Sequence, residues 1–469
     1  MSENTFDFGM IGLGVMGRNL LLNIADHGFS IAGLDTDQKK VDALKTEATG
    51  KNVDGTTDMK RFIGMVKTPR RIMMLVPAGD PVDAVLKEAL PLLQKGDVLI
   101  DGGNSHFIDT DRRIAQLEGS GIHFMGVGIS GGEEGARHGP SIMPGGTVDG
   151  YETIRPILES IAAKVNGEPC VTHIGLHSAG HYTKMVHNGI EYGLMQLISE
   201  TYDLMKRGLQ MTNEQIRQTY AEWDRGELQS FLINITAKIF SFRDDLTKED
   251  LLLDRILDSA GQKGTGKWTS QSAMDLQVPT PVIDLAVSMR DLTAMKSERA
   301  MASKKLSLPR SVLNEPGSSI LSAVKNAAYF SMIAIYAQGF HLLKVASEAM
   351  KYNIELKNVA RIWRGGCIIR SALLEPIMKA FANNPSLTNL IIDNFFSAEL
   401  LKRRSAIKEV IEFAMLMQVP VPALSASLAY IDAYRSEWLP ANLIQAQRDY
   451  FGSHTYQRTD KEGVFHTKW

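Results

Sequence analysis

A doubly wound, mostly parallel α/β sheet, followed by a large all-α region and a C-terminal tail, is the fold class this sequence predicts. Two textures carry the prediction. Up to about residue 178, short apolar runs alternate with amphipathic stretches, which is the βαβ rhythm of a parallel sheet. From about residue 179 to 435, long 3.6-period segments rich in Leu, Ile, Ala and Met follow one another with few strand signals. The remaining stretch, 436–469, fits neither pattern.

In the first unit, Phe8–Ile11, Ser30–Leu34, Ile72–Val76, Val98–Asp101 and His123–Val127 read as strands, each bounded by Gly, Pro or Asp. Gly12-Leu13-Gly14-Val15-Met16-Gly17 follows the first strand and opens a helix expected over 18–27. The first two glycines permit a tight turn and a close approach of backbone to pyrophosphate. The third lets helix and strand pack together, and the helix N-terminus attracts the anion. The second strand ends in Asp35, 23 residues after Gly12, where a carboxylate can meet a ribose hydroxyl. This context makes residues 1–178 a dinucleotide-binding, Rossmann-type domain. Three more loops fall where later strands end: Val76-Pro77-Ala78-Gly79, Asp101-Gly102-Gly103-Asn104-Ser105 and Ser130-Gly131-Gly132-Glu133. Ligands of open α/β sheets sit outside those strand ends.

The helical unit, 179–435, carries one unusual stripe. Read as helix, Lys184 and Glu191 are seven residues apart and share a face, with His187 and Asn188 between them. The stripe is roughly 10 Å long at 1.5 Å per residue. A solvated face rarely needs a His-Asn pair between its charges, whereas a site that moves protons does. Downstream, Gly261-Gln262-Lys263-Gly264-Thr265-Gly266-Lys267-Trp268 nearly spells a Walker A loop. It fails where Trp268 replaces the Ser or Thr needed for Mg²⁺, and it follows a predicted helix (251–259) rather than a strand. Its lysines and Thr265 suit the phosphate or carboxylate of a smaller ligand. Arg290, and Arg448 and His454 of the tail, can add donors. Trp223-x-x-Gly226 is echoed by Trp363-x-x-Gly366, and Ser230 by Ser371, about 140 residues on, which suggests a duplicated helical unit. The tail has too few apolar residues for its own core, so it is expected to lie on its own domain or a neighbouring subunit.

Bulk properties exclude several classes. With 51 basic and 53 acidic side chains the net charge is −2, so no global field recruits nucleic acid or anionic membrane. Two cysteines, Cys170 and Cys367, build neither a disulfide framework nor a cysteine metal site, and point to a reducing, cytoplasmic setting. The N-terminus lacks a basic segment followed by an apolar h-region. No uninterrupted apolar run of about 18 residues suggests a membrane span. His187 and Glu191 have i,i+4 spacing but no third ligand at recognisable spacing, so no metal is expected.

Taken together, Asp101–Ser105, Gly180-His181, Lys184–Tyr192, Gly261–Thr269, Trp363–Arg370 and Leu439–Arg448 through His454 resemble the decarboxylating 6-phosphogluconate dehydrogenases of the β-hydroxyacid dehydrogenase group. The likeness covers essentially the whole chain. It implies oxidative decarboxylation of 6-phosphogluconate to ribulose 5-phosphate, a pentose phosphate pathway step, with NAD or NADP and no metal. It also implies a homodimer whose exchanged tails enter the partner's active site. By motif, Lys184 corresponds to the general base and then acid, and Glu191 to the group that protonates carbon. Ser130, Gly131, Gly132, His187, Asn188 and Tyr192 correspond to substrate contacts. Lys263 and Arg290 correspond to phosphate or carboxylate contacts, with Arg448 and His454 supplied by the other subunit. Asn104 corresponds to a residue touching both substrate and cofactor, and Val76, Pro77 and Ala78 join the glycine loop as cofactor contacts. One departure matters. Where the family has Asn-Arg-Thr, this chain has Asp35-Thr36-Asp37, which lacks the arginine expected on the NADP 2′-phosphate. A carboxylate suits NAD, with Lys39 and Lys40 as possible compensation, so the expected preference tilts to NAD. Gly14, often alanine in the family, and Leu194, commonly acidic there, do not touch the proposed chemistry. The rival readings are a related dehydrogenase for a smaller hydroxyacid, and a non-catalytic dinucleotide-binding regulator.

Overall fold

Seven strands form one sheet in the computed structural model, which describes residues 6–308 and 318–469. In chain order they are β1 (Phe8–Ile11), β2 (Ile31–Leu34), β3 (Val53–Thr56), β4 (Arg71–Met74), β5 (Val98–Asp101), β6 (His123–Ser130) and β7 (Ser141–Gly145). Their spatial order is β3-β2-β1-β4-β5-β6-β7. All neighbours pair in parallel except β6 and β7, which are antiparallel.

The strands are buried on both faces, as parallel strands are, and their side chains divide between two cores. Phe8, Met10, Met73, Ile100 and Met125 pack on one face. Ile11, Ala32, Ile72, Met74 and Leu99 pack on the other. Strand order reverses between β1 and β4, which opens the crevice where such sheets bind ligands. The glycine loop and Val76-Pro77-Ala78 both lie there.

Five strands were legible from sequence, and β3 and β7 were not. β3 reads Val-Asp-Gly-Thr at the sheet edge, and β7 contains Pro144 and Gly145, so each resembles a turn. The first helix spans Val15–Asp26, not 18–27, because Gly14 already serves as its N-cap. The helix expected over 251–259 is only a 3-10 turn, Leu252–Arg255. Leu252, Ile256 and Leu257 are exposed there, and so short a segment is not helical without packing.

Beyond residue 179 the regular structure of the described residues is helical apart from isolated bridges. The long helices Ala179–Asp203 and Ser318–Ala349 pack together, and Asn394–Leu416 lies against the second. By length and composition Ser319–Ala349 is apolar enough to cross a membrane, although its apolar residues form no uninterrupted run of that length. Yet 72% of its apolar window is buried inside the protein.

The sequence echo has a structural counterpart. Ser230 and Ser371 form an antiparallel bridge, flanked by Phe231 N–H donating to Arg370 O at 3.0 Å and Ala372 N–H to Gln229 O at 2.9 Å. Each long helix also caps a late helix of the other half. Glu200 accepts from Ala423 N–H (2.8 Å) and Leu424 N–H (3.0 Å), at the start of Pro422–Tyr434. Gln338 accepts from Val282 N–H at 3.1 Å, at the start of Pro281–Ala294.

Burial pushes the Glu200 carboxyl up to about 7, against the lowering effect of Gln196 and the two helix N–H groups. A carboxyl whose folded pKa exceeds its unfolded value stabilises most below the unfolded pKa, and loses that contribution as pH rises through the folded one. Between about pH 4.5 and 7 this amounts to on the order of 3 kcal/mol. Melting curves across that window are expected to decline more steeply for the native protein than for Glu200→Gln. Parallel curves would exclude Glu200 as the titrating group.

Candidate active site

The helix Ala179–Asp203 crosses the carboxyl half of β6 because that strand is glycine-rich. A Cβ on Gly128 would stand 2.4 Å from Lys184 Cβ, so only glycine lets the lysine lie against the sheet. Lys184 is thereby buried at 7% exposure and His187 at 0%. Burial pushes the Lys184 ammonium below its ordinary value, partly offset by Glu191 and Cys367. Burial also pushes Glu191 up, against the lowering influence of Lys184 and Arg290. The two groups are thus both driven toward their neutral forms.

A hydrogen-bonded chain fixes the residues between them. Ile368 N–H donates to Ser130 Oγ at 3.4 Å. Ser130 Oγ lies 3.1 Å from His187 Nε2, and His187 Nδ1 lies 3.0 Å from Asn188 Oδ1. Asn188 Nδ2 donates to Thr265 Oγ1 at 3.1 Å. With the Asn188 amide so assigned, His187 donates from Nδ1 and accepts the Ser130 hydroxyl at Nε2. Burial and the nearby Lys184 hold His187 well below its ordinary pKa, so the ring is neutral. Glu191 lies 3.8 Å from the same Nδ1. The imidazole is therefore an orienting group with both nitrogens engaged, not a free base.

In front of this chain opens a cleft of about 920 Å³, lined from both halves of the protein. The sheet contributes Met16, Val76-Pro77-Ala78, Asn104 and Ile129, and the helices contribute Asn188, Glu191, Tyr192, Lys263, Thr265, Trp268 and Arg290. The Arg290 guanidinium stacks 3.4 Å over the Tyr192 ring and donates to Gly261 O at 3.3 Å, which anchors the Lys263 loop beside it. Lys184, Ser130 and His187 are buried and do not line it, nor does the pair Gly131-Gly132, and no tail residue contributes to it. Arg448 and His454 are therefore not brought to the cleft of their own chain.

The glycine loop fits a dinucleotide. Gly12 has φ +96°, and a Cβ on Gly17 would fall 2.0 Å from Gly12 O, whereas nothing lies within 4 Å of one on Gly14. The helix Val15–Asp26 has no side-chain cap and no acidic residue in its first turn, which leaves its N–H groups to an anion. Asp35 is placed differently from the expectation. Its carboxylate accepts from Leu13 N–H at 2.8 Å and Asp37 N–H at 3.0 Å, and Lys40 Nζ sits 3.3 Å from both oxygens. Burial would raise this carboxyl, but those N–H groups and Lys40 hold it low. Asp35 thus organises the loop, and Thr36, Asp37 and Lys39 are the exposed groups beside it.

Three contributors have no role in the sequence reading, although His181 and Ile368 lie in segments that carry the family likeness. His106 packs edge-on against Trp268 across the cleft, with ring centroids 4.8 Å apart. His181 Nε2, at 3.0 Å from Asp101 O, ties the Asn104 loop to the helix that carries Lys184. The Ile368 amide carries no residue-type signal at all. Among the described residues, no group of three or more His, Cys, Asp or Glu converges as a metal site.

A parallel sheet with a pyrophosphate-type loop, facing a buried lysine and a carboxyl across one cleft, defines a dinucleotide-dependent oxidoreductase. The domain described as 6-phosphogluconate dehydrogenase, C-terminal domain, matches residues 180–469. The NAD binding domain of 6-phosphogluconate dehydrogenase matches residues 7–175. The chain belongs to the 6-phosphogluconate dehydrogenase family. It is 52% identical over 462 residues, 98% of each chain, to the NADP(+)-dependent, decarboxylating 6-phosphogluconate dehydrogenase of Bacillus subtilis. It is 48% identical to the decarboxylating enzyme of Lactococcus lactis, covering 99% of this chain and 98% of that one. The Plasmodium falciparum 6-phosphogluconate dehydrogenase, solved in apo form, with NADP+ and with 6-phosphogluconate, superposes with TM-score 0.96 at 43% identity, covering 99% of this chain and 100% of that one.

Proposed function

We propose that this chain converts 6-phosphogluconate to ribulose 5-phosphate and CO₂ while reducing a nicotinamide dinucleotide. The observation that carries the reading is the Lys184–Glu191 pair on one helix, the lysine buried and the half-buried glutamate lining the cleft, both driven toward neutrality. The bound dinucleotide supplies the hydride acceptor. Neutral Lys184 takes the proton of the C3 hydroxyl as the C3 hydride leaves. The resulting ammonium donates to the new C3 carbonyl oxygen as the C1 carboxylate leaves as CO₂, which generates an enediol. Glu191, as the carboxylic acid, then protonates C2, which becomes C1 of ribulose 5-phosphate, while Lys184 takes back the enediol hydroxyl proton. A proton passing from Lys184 to Glu191 restores both groups. Ser130, the Gly131-Gly132 backbone, His187, Asn188 and Asn104 orient the sugar acid, and donors fixed by the Ser130–Thr265 chain stabilise the enolate-like charge. Tyr192, Lys263 and Arg290 hold the phosphate, which a smaller unphosphorylated hydroxyacid would lack.

We take residues 1–178, 179–435 and 436–469 as dinucleotide-binding domain, helical domain and tail. The tail leaves Trp438, Leu443, Ile444, Tyr450 and Phe451 exposed in the single chain. A second copy of the chain covers them in this reading, with Arg448 and His454 reaching the partner's phosphate site.

For the dinucleotide we infer a preference for NAD. Thr36 stands where the family's arginine would be, and the exposed Asp37 carboxylate, which caps the next helix through Lys39 N–H, repels a 2′-phosphate. Absorbance at 340 nm with 6-phosphogluconate and either cofactor tests both inferences. Turnover is expected with a larger kcat/KM for NAD, and Thr36→Arg should raise the NADP value by about tenfold or more. A native preference for NADP refutes the cofactor inference. No turnover with either cofactor refutes the activity and favours the regulator or a dehydrogenase for a smaller hydroxyacid.

A further inference from the structure

The tail is mostly exposed, yet Asp449 at its centre is 0% exposed. Its carboxylate collects four donors from residues that follow it. Oδ1 accepts from Thr455 N–H at 2.8 Å and lies 2.9 Å from His466 Nδ1. Oδ2 accepts from Thr467 N–H and from Trp469 Nε1–H, each at 3.0 Å. One side chain thus ties the helix Ala441–Gly452 to the returning strand of a bridge in which Tyr456 and Phe465 exchange two 2.8 Å hydrogen bonds.

The clasp imposes a costly backbone geometry around His454. Ser453 has φ +50° and Thr455 φ +60°. Left-handed backbone is unusual for any side chain, and for a β-branched residue it is a genuine outlier. Such a residue persists only where its surroundings over-determine it. At Thr455 the N–H is held by Asp449, and the carbonyl accepts from the Gln445 amide. Gln445 also accepts from Arg448 at 3.0 Å. The same small network therefore touches Arg448 and fixes the turn that presents His454.

We propose that Asp449 is a positioning residue for the reaction: it holds the tail in the one conformation that presents Arg448 and His454 together to an anionic substrate. This rests on the reading that the tail completes the partner subunit's site. Without the clasp, binding must first order a loose tail, which lowers affinity for the phosphate end and leaves the chemical step nearly intact.

The test compares native protein, D449N, D449N/T455G and R448A in steady-state kinetics, light scattering and amide hydrogen exchange over 453–469. Asparagine keeps the size but turns an NH₂ toward two of the four donors. D449N is expected to remain dimeric, with tail exchange faster by about tenfold and the 6-phosphogluconate KM higher by a similar factor. Its kcat and cofactor KM should change by less than about threefold. Adding T455G should recover part of the KM, because glycine adopts the left-handed turn unaided. Unchanged exchange in D449N overturns the clasp. Faster exchange with unchanged KM overturns the positioning role, as does a raised KM that T455G leaves untouched. An R448A variant with native KM marks instead the failure of the tail-exchange reading, which the exchange data do not depend on. Should D449N not fold, W469F, which removes a single donor, carries the same comparison.

Discussion

Lys184→Met is expected to lower kcat by about 10²–10⁴-fold, the range over which positioned general acid–base groups act. Methionine fills similar space, and because burial already drives the Lys184 amine toward its neutral form the change breaks no strong ion pair, so the fold should survive. Lys184→Arg separates charge from proton transfer. Guanidinium keeps the positive charge but is not deprotonated in proteins, so it cannot serve as the base. Both variants should fail to similar extent while cofactor affinity, measured by fluorescence titration, stays near native. Activity in Lys184→Arg within about tenfold of native would mean the lysine acts only as a fixed charge, and the base lies elsewhere. His187 is not a ready substitute, because both ring nitrogens are occupied and the ring is held neutral.

What the sequence made legible follows from how local each signal is. The Lys184–Glu191 stripe was readable because helical periodicity alone puts its four residues on one face, and the helix Ala179–Asp203 contains all of them. The glycine loop was readable because its backbone demands are encoded in residue type at fixed spacing. Asp35 shows the limit of such motifs. Its position at the end of β2 was read correctly, but its two oxygens are taken by Leu13, Asp37 and Lys40, contacts no spacing rule contains. Ile368 reaches Ser130 across 238 residues of sequence through a backbone amide, which every residue but proline possesses. No local sequence signal marks Glu200, and only the packing of Pro422–Tyr434 against it makes it a buried cap. Gly128 lay just outside the strand expected over 123–127, yet its missing side chain is what admits Lys184 to the sheet. Long-range geometry, rather than composition, decided each of these.

Glu191→Gln is expected to separate the two halves of the reaction. Lys184 remains, so hydride loss and decarboxylation proceed, while the amide cannot protonate the enediol carbon, C2 of the substrate. Rapid mixing of enzyme, dinucleotide and 6-phosphogluconate should show a burst of reduced cofactor, on the order of one equivalent per site, followed by a steady rate about 10²–10⁴-fold below native. A variant that loses burst and steady rate together would place Glu191 before or within the oxidation step instead. The same substitution makes a signed prediction about pH. The Glu191 carboxylate is among the groups that raise the Lys184 pKa, so its removal leaves burial less opposed. Lys184 then loses its proton at lower pH, and the acid limb of the burst-rate profile should move down relative to native. Movement upward would contradict the coupling inferred between the two ends of the stripe. A limb that does not move would mean the two groups titrate independently, and the proton that resets the cycle would have to come from solvent rather than pass along the helix from Lys184 to Glu191.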